Sequence, residues 1–416
     1  MHPHPDQREH IGDDLTTAVD ARSEHVLTTQ PGAAAGAPHI RLTRQGAGDW
    51  NRAGECHVTV DRQPLVADDS VTFRLPDART DGGPALAGTR LLPALSLPPV
   101  NLDFDYADGQ WLLTLPRPAA RRIEYRFQLR HPTGDLEEIC DPGNPLRAPG
   151  AFGDKSVVEF PDYTPPAWLA ADRVEGTRVD LTIPAPLLGR EISAQLWTPG
   201  GDDAGAGEPM PLLVAHDGPE YDRLAGLTGF VAAMIAEGTL PRCRVALLAP
   251  GVRDEEYSAN PWYSATMHQQ VLPALRDAVA ISGPPVGMGA SLGGLAMLHA
   301  QRALPGLFGG LFLQSASFLT AELDPQEDGR FSKFAQVDAY VRHVVRDGAP
   351  AETVPAVLTC GLAEENLENN RQMSEVLAYQ GYDVRFVEVP DAHNYVGWRD
   401  AFDPALADLL RSVWES

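Results

Sequence analysis

The chain has little cysteine, little positive charge and no long apolar run, and each shortage excludes something. Four cysteines, Cys56, Cys140, Cys243 and Cys360, are scattered through 416 residues. None forms a C-x-x-C pair, so neither a zinc site nor a redox pair is indicated. Cys243 and Cys360 adjoin expected buried strands and read as small core residues. Lys and Arg total 33 against 57 Asp and Glu, a formal net charge of −24. So acidic a surface repels phosphate backbones and anionic lipid, which speaks against nucleic-acid or membrane-surface binding. No run approaches the length of a membrane span, and the first residues lack the apolar core of a secretion signal. The expectation is a cytoplasmic, reduced enzyme. His2 and His4 have no further ligands nearby, so no metal is expected, and no organic cofactor either.

The apolar fraction, 43%, is ordinary for a globular chain, and the length suggests two or three domains. Residues 1–38 are polar and small, ending in a Pro/Gly/Ala run, and read as a disordered tail. Residues 39–170 carry short alternating strands, Ser70–Leu75, Trp111–Leu115 and Ile123–Leu129, separated by turn clusters and without helical periodicity. That pattern predicts a β-sandwich. The proline-rich stretch from Asp141 to Leu169 suits an extended linker, with a boundary near 165–172. From 171 to 416 strands (192–197, 211–215, 244–249, 286–288, 307–314, 356–360, 384–389) alternate with helices (224–237, 264–280, 291–304, 369–380, 403–413). Buried strands alternating with helices predict an α/β domain with a mostly parallel sheet, its chemistry on loops at the strands' carboxyl ends.

One stretch organises the rest. Val286–Gly294 reads as a short apolar strand, then Gly-Ala-Ser-Leu-Gly, then a helix. That is a G-x-S-x-G nucleophile elbow in strand–turn–helix context, whose tight turn demands small residues two before and two after the serine. Gly289 and Gly293 meet the demand, leaving Ser291 as candidate nucleophile. A serine hydroxyl needs a base, and the base an orienting carboxylate. Of twelve histidines, His393 stands on a loop after the last strand; His216 follows a different strand and His299 sits mid-helix, where packing is expected. The acid should follow the preceding strand, where Glu364 and Glu365 both qualify by position. An oxyanion hole needs two backbone N–H donors. Leu292, after the serine, supplies one. The other should come from His216–Tyr221, where Pro219 has no N–H, leaving Gly218, Glu220 or a neighbour.

These motifs resemble, in order, the esterase family of α/β hydrolases that includes enterochelin esterases, mycolyltransferases and S-formylglutathione hydrolases, with the enterochelin-esterase branch nearest. The matching residues are His216-Asp217-Gly218, Arg253–Asn260, Leu272-Pro273, Gly289–Gly294, Gln314–Phe318, Gly361–Glu364 with Asn370-Arg371, and His393 with Trp398-Arg399. Asp141-Pro142-x-Asn144-Pro145 and Phe152-Gly153-x-x-Ser156-Val157 resemble that branch's N-terminal sandwich. The resemblance covers roughly 60–416. It implies an α/β-hydrolase fold preceded by a β-sandwich, Glu364 rather than Glu365 as the acid, and hydrolysis of the lactone backbone of ferric catecholate siderophores; the oxyanion is assigned to Leu292 with the Gly218 loop. Arg253, Tyr395, Trp398 and Arg399 are candidate contacts for such an anionic substrate, although ion pairs with Asp254, Glu256 or Asp400 compete for the two arginines. The chain departs from the branch at Pro219 and at Ala392-His393-Asn394-Tyr395, where Gly-Gly-His-Asp is more usual. Rival readings are an esterase on an acylated sugar or macrolactone, an acyltransferase that excludes water, a binding protein with a decayed site, and a sandwich that binds carbohydrate, for which isolated aromatics such as Trp111 are the only cue. The oligomeric state is open.

Overall fold

The computed structural model describes residues 63–77, 83–200, 207–346, 348 and 350–415. The tail expected over 1–38, the sandwich's first residues and Cys56 lie outside the described residues. All described residues belong to one compact unit, Val60–Ser416.

Nine strands precede the large C-terminal sheet among the described residues: β1 (Leu65–Val66), β2 (Ser70–Pro76), β3 (Gly88–Pro93), β4 (Asp105–Ala107), β5 (Gln110–Pro116), β6 (Arg122–Arg130), β7 (Leu136–Ile139), β8 (Arg147–Ala148) and β9 (Lys155–Glu159). They form one sheet in the order β1-β2-β5-β4 and a second in the order β3-β6-β9-β8, with β7 paired to β6. The alternation seen in the sequence decides which faces meet. Val71, Phe73, Leu75, Leu113 and Leu115 of the first sheet share a core with Leu91, Tyr125, Phe127 and Leu129 of the second. Phe73 and Tyr125 stack edge to face with centroids 4.7 Å apart. Trp111 is buried in this core at 8% exposed, so its indole face is not open to a sugar, and its Nε1–H donates to Asp77 Oδ2 at 2.8 Å.

The stretch from Asp141 onward is more than a linker. Ser156 and Val157 lie in β9, which pairs with β6 and β8. Asp141 and Asn144 are buried. Tyr125 donates to Asp141 Oδ2 at 2.7 Å, and Asn144 donates to Tyr125 Oη at 3.0 Å and to the Val157 carbonyl at 2.7 Å. The prolines flanking these polar residues set a turn that lets two short side chains satisfy a buried corner. Trp168, near the end of the stretch, is 1% exposed and packs on Phe230 and Phe402 of the following α/β layer.

The second part is an eight-stranded sheet: β10 (Gly176–Ala185), β11 (Arg190–Pro199), β12 (Leu212–Ala215), β13 (Arg244–Leu248), β14 (Val286–Ala290), β15 (Gly310–Gln314), β16 (Ala356–Gly361) and β17 (Val384–Val389). Its order is β10-β11-β13-β12-β14-β15-β16-β17. The six strands from β13 to β17 are parallel, and β10–β11 is an antiparallel hairpin at one edge. Period-two alternation divides the strand side chains between two cores. In β12, Leu212 and Val214 face one layer and Leu213 and Ala215 the other. The first layer holds helices Leu292–Ala303, Phe334–Arg346 and Leu367–Tyr379; the second holds Leu227–Ala236 and Ala407–Trp414. Helix Phe334–Arg346 and strand β10 are absent from the sequence-based outline. The helix expected over 264–280 runs as Pro261–Thr266, a wider π turn at Met267–Val271, then Leu272–Ala278. Pro273 accounts for the bulge, because it cannot donate and its ring crowds the carbonyl four residues back.

The Tyr125 network makes a test of the sandwich corner. Tyr125→Phe keeps the packed ring and strips one donor from the buried Asp141. An orphaned buried acceptor costs about 1–3 kcal/mol, so Tm in a thermal melt should fall by several degrees. An unchanged Tm would show that the network contributes nothing to stability.

Candidate active site

The carboxyl ends of β14, β15, β16 and β17 stand side by side, and each delivers one part of the site. Register Ala290↔Gln314 joins β14 to β15, and Gly361↔Val389 joins β16 to β17. The loops carrying Ser291, Ser315–Ser317, Glu364 and His393 therefore leave one edge together.

Ser291 has φ 55° and ψ −128°, a conformation side chains avoid, costing on the order of 1–3 kcal/mol. Its backbone is over-determined: Ser291 N donates to Gln314 O at 3.0 Å, and Ser317 N donates to Ser291 O at 3.1 Å. Gly289 explains the motif's first glycine. A Cβ there would lie 2.4 Å from the Gly293 carbonyl, so the strand and the helix start could not touch. Ser291 Oγ lies 3.1 Å from Ser317 Oγ. The amides of Leu292 and Gly293 open helix Leu292–Ala303, so neither has an intrahelical acceptor.

His393 Nδ1 lies 2.7 Å from Glu364 Oε2. Glu364 is nearly buried and Glu365, its neighbour, is exposed. Glu364 Oε1 accepts from Ser315 Oγ at 2.7 Å and from the Gly361 amide. Ser315 Oγ in turn accepts from Trp398 Nε1 at 2.9 Å. Burial works to raise the Glu364 carboxyl, but the charge and hydrogen bond of His393 with those from Ser315 and Gly361 outweigh it and leave it below its ordinary value. The other two histidines weighed in the sequence are packing residues. His216 Nδ1 lies 2.9 Å from Gly293 O and Nε2 2.9 Å from Tyr263 Oη, and burial pushes the imidazole down to about 4. His299 pairs with Ser264 Oγ at 2.7 Å and burial lowers it to about 4 as well.

Ser291 and His393 open onto a cleft walled on one side by Asp217, Glu220, Arg253, Tyr395 and Trp398 and on another by Glu124, Phe152 and Lys155 of the sandwich. Beyond Ser291 the cleft continues past Asp254, Glu327 and Glu365. The expected substrate contacts divide. Tyr395 reaches the cleft, its ring edge-on to Trp398 at 4.9 Å. Trp398 offers an edge to the cleft while its N–H is committed to Ser315. Arg253 is there too, but its partner is Asp217, in a two-pronged pair at 2.9 and 2.8 Å, rather than Asp254 or Glu256. Arg399 is a correction. It points to Asp400 Oδ1 at 2.8 Å and Tyr163 Oη at 2.9 Å and does not line the cleft, because it lies one helical step from Trp398, which faces the site. Gly218 owes its identity to packing: a Cβ there would lie 2.3 Å from Leu247 Cα. Its neighbour Asp217 has φ 49°, and a Cβ on Gly293, the second residue of the helix after the elbow, would lie 3.3 Å from Asp217 Oδ2.

Ser315, Ser317 and the donor role of Trp398 escape sequence reasoning. Their signal was available: Gln314–Phe318 puts two serines directly after a buried strand that ends in Gln314, beside the elbow. Among the described residues no group of three or more His, Cys, Asp or Glu could hold a metal ion, and no helix is long and apolar enough to cross a membrane.

A sequence model of the Esterase family matches residues 185–409. The chain is 25% identical over 276 residues to the iron(III) enterobactin esterase of Dickeya dadantii (strain 3937), covering 62% of this chain. It spans 63% of that curated relative, less than two thirds of its length. Two solved structures share the fold. One is the enterobactin esterase of Shigella flexneri in the presence of 2,3-dihydroxy-N-benzoyl-glycine, at TM-score 0.65 and 19% identity, covering 86% of this chain and 98% of that one. The other is the ferric enterobactin esterase of Salmonella typhimurium, at TM-score 0.64 and 18% identity, covering 85% and 97%. The family match takes in more than half of the chain, with the elbow and both loops beside it. This protein belongs to the Esterase family and has the α/β-hydrolase fold.

Proposed function

We propose that the chain is a serine esterase that opens the lactone backbone of a ferric catecholate siderophore, with Ser291 as nucleophile, His393 as general base and acid, and Glu364 as the orienting carboxylate. The observation that carries this reading is the 2.7 Å pair between His393 Nδ1 and Glu364 Oε2, opening on the same cleft as the elbow serine. With Nδ1–H donated to Glu364, Nε2 keeps its lone pair for the serine proton. Ser291 Oγ turns from Ser317 toward His393, loses its proton to Nε2 and attacks the ester carbonyl. The oxyanion forms opposite the Leu292 amide, at a helix N-terminus where partial positive charge is already oriented, with a second donor from the Asp217–Gly218 segment. Collapse of the intermediate breaks the C–O bond, and His393 returns the proton to the leaving hydroxyl. Water then repeats the sequence on the acyl-enzyme. No metal or organic cofactor enters these steps; iron is cargo of the substrate.

The substrate class rests on the resemblance and on the Dickeya relative, whose name is iron(III) enterobactin esterase. One observation favours a second reading, an ester of low charge such as an acylated sugar or a macrolactone. Both cations of the cleft are already paired, Arg253 with Asp217 and Lys155 with Glu124 at 3.3 Å, and Arg399 is turned elsewhere. A strongly anionic complex would have to be met by aromatic edges and backbone donors.

Three outcomes test the reading. Ser291→Ala should lose on the order of 10⁶ in kcat on p-nitrophenyl butyrate with an unchanged circular dichroism spectrum; activity within about tenfold of wild type would remove the nucleophile. Glu364→Gln should lose about 10⁴ in kcat, while Glu365→Gln, an exposed side chain outside the pair, should lose almost nothing. Equal small effects would place the acid elsewhere or leave a dyad. Finally, mass spectrometry should show a ferric catecholate tri-lactone converted to linear products faster than acetylated xylan or a feruloyl ester. Cleavage of short aryl esters with every catecholate lactone untouched would retain the serine mechanism and favour the low-charge substrate.

A further inference from the structure

The loops that carry His393 and Glu364 are each bonded to the N-terminal part of the chain. Arg121 N donates to the Pro390 carbonyl at 2.8 Å, and Ser96 N donates to the Ala363 carbonyl, one residue before Glu364, at 2.9 Å. Ala120, Ala363 and Ala392 pack together against Leu95. Two of the loops at the site are thus tied by backbone bonds to the β-sandwich.

Between them lies Arg122, the first residue of β6 and 4% exposed. Its Nη1 is 3.6 Å from Asp391 Oδ2 and 3.7 Å from Glu124 Oε1, and its Nε is 3.6 Å from Glu159 Oε1. The guanidinium sits 5.4 Å over the Tyr163 ring. Neither Nε nor Nη1 makes a hydrogen bond. This arginine therefore acts as a buried charge among carboxylates rather than as a bonded fork. Asp391 is the clamp of the loop. Its Oδ1 accepts from Ala392 N and from Asn394 Nδ2, both at 2.8 Å, the residues on either side of His393. Asn394 Oδ1 then caps the next helix at Gly397 N, also 2.8 Å.

We propose that Arg122 is a positioning residue for His393: its buried charge holds the Asp391 clamp, and the β-sandwich thereby takes part in catalysis. The electrostatic surroundings agree with this geometry. Burial, with a smaller push from Glu124, leaves the Asp391 carboxyl raised to about 6 even against the downward pull of Arg122, Asn394 and the Ala392 amide. Burial also works against the charge on Arg122, and Asp391, Glu124, Tyr163 and Asp400 outweigh it. Lys155 faces Glu124 from β9 and shares that carboxylate with Arg122. Without Arg122, Asp391 and Glu124 are two buried carboxylates of which only Glu124 keeps a cation, Lys155 at 3.3 Å. Asp391 then takes up a proton at higher pH, and its hold on the two residues flanking His393 weakens.

The proposal rests on the serine-esterase reading, and the experiment separates the two. Full-length wild type, Arg122→Met, Arg122→Lys, Asp391→Asn and the Arg122→Met/Asp391→Asn double variant are compared by Tm, by kcat and KM on p-nitrophenyl butyrate across pH, and by the ¹⁵N signals of the His393 ring. Arg122→Met should lower kcat on the order of 10² with KM little changed, the size of effect that a small misplacement of a reacting group produces. The acid limb of its kcat profile should move up by roughly one pH unit, because an opposite charge has been taken from beside a carboxylate. Arg122→Lys should restore most of kcat, the double variant should lose less than the two single losses combined, and the His393 signals should shift in Arg122→Met. If Arg122→Met does not fold, Arg122→Gln carries the same readings, and Asp391→Asn carries the kcat and His393-signal readings. An Arg122→Met or Arg122→Gln protein that loses Tm alone, with wild-type kcat, pH profile and His393 signals, overturns the positioning role. A wild type inactive on every ester defeats the esterase reading instead, and the ring signals still decide whether Arg122 holds the histidine.

Discussion

The site depends on keeping one carboxylate charged where water barely reaches it. An ionised carboxyl loses much of its solvation on burial, and only donors aimed at its oxygens restore it. Glu364 receives them from three places: the Gly361 amide at the end of β16, Ser315 after β15, and His393 after β17. Trp398, from the helix after the histidine loop, fixes Ser315 in turn. The relative register of three strands and the start of one helix thus converge on a single side chain. A shift in any of them unpairs Glu364, and the tautomer and direction of His393 go with it.

The chain shows how much of this can be read in one dimension. Ser291 was legible because the elbow makes a steric demand: Gly289 must be bare so that the strand can meet the helix start, and that leaves a spelling. His393 was legible because it closes the last strand. Glu364 and Glu365 were not separable by position, since two adjacent acids after a strand look alike until the Gly361↔Val389 register turns one toward the histidine. Arg399 misled for a related reason. It neighbours Trp398 in sequence, but neighbours on a helix point some 100° apart, and only Trp398 faces the site. Helix Phe334–Arg346 was within reach, because Phe334, Val337, Val341 and Val344 keep helical spacing and all four are buried. Arg122 was out of reach. Its partner Asp391 lies far along the chain, and nothing in an alternating strand marks its first residue as the one that meets a loop of another layer.

The N-terminal sandwich gains a meaning beyond architecture. It walls the cleft with Phe152, Glu124 and Lys155, and it bonds through its backbone to the two loops that carry Glu364 and His393. The charges on that wall are already balanced in pairs, so selectivity is expected to come from shape and aromatic edges more than from net attraction.

The central claim is that Ser291 is the activated nucleophile of a Ser-His-Glu site. The most direct measurement is labelling of the full-length protein with a fluorophosphonate, followed by peptide mass spectrometry. The account predicts one adduct per chain, on Ser291. An adduct on Ser315 or Ser317 instead, or no adduct on a protein that hydrolyses esters, would contradict it.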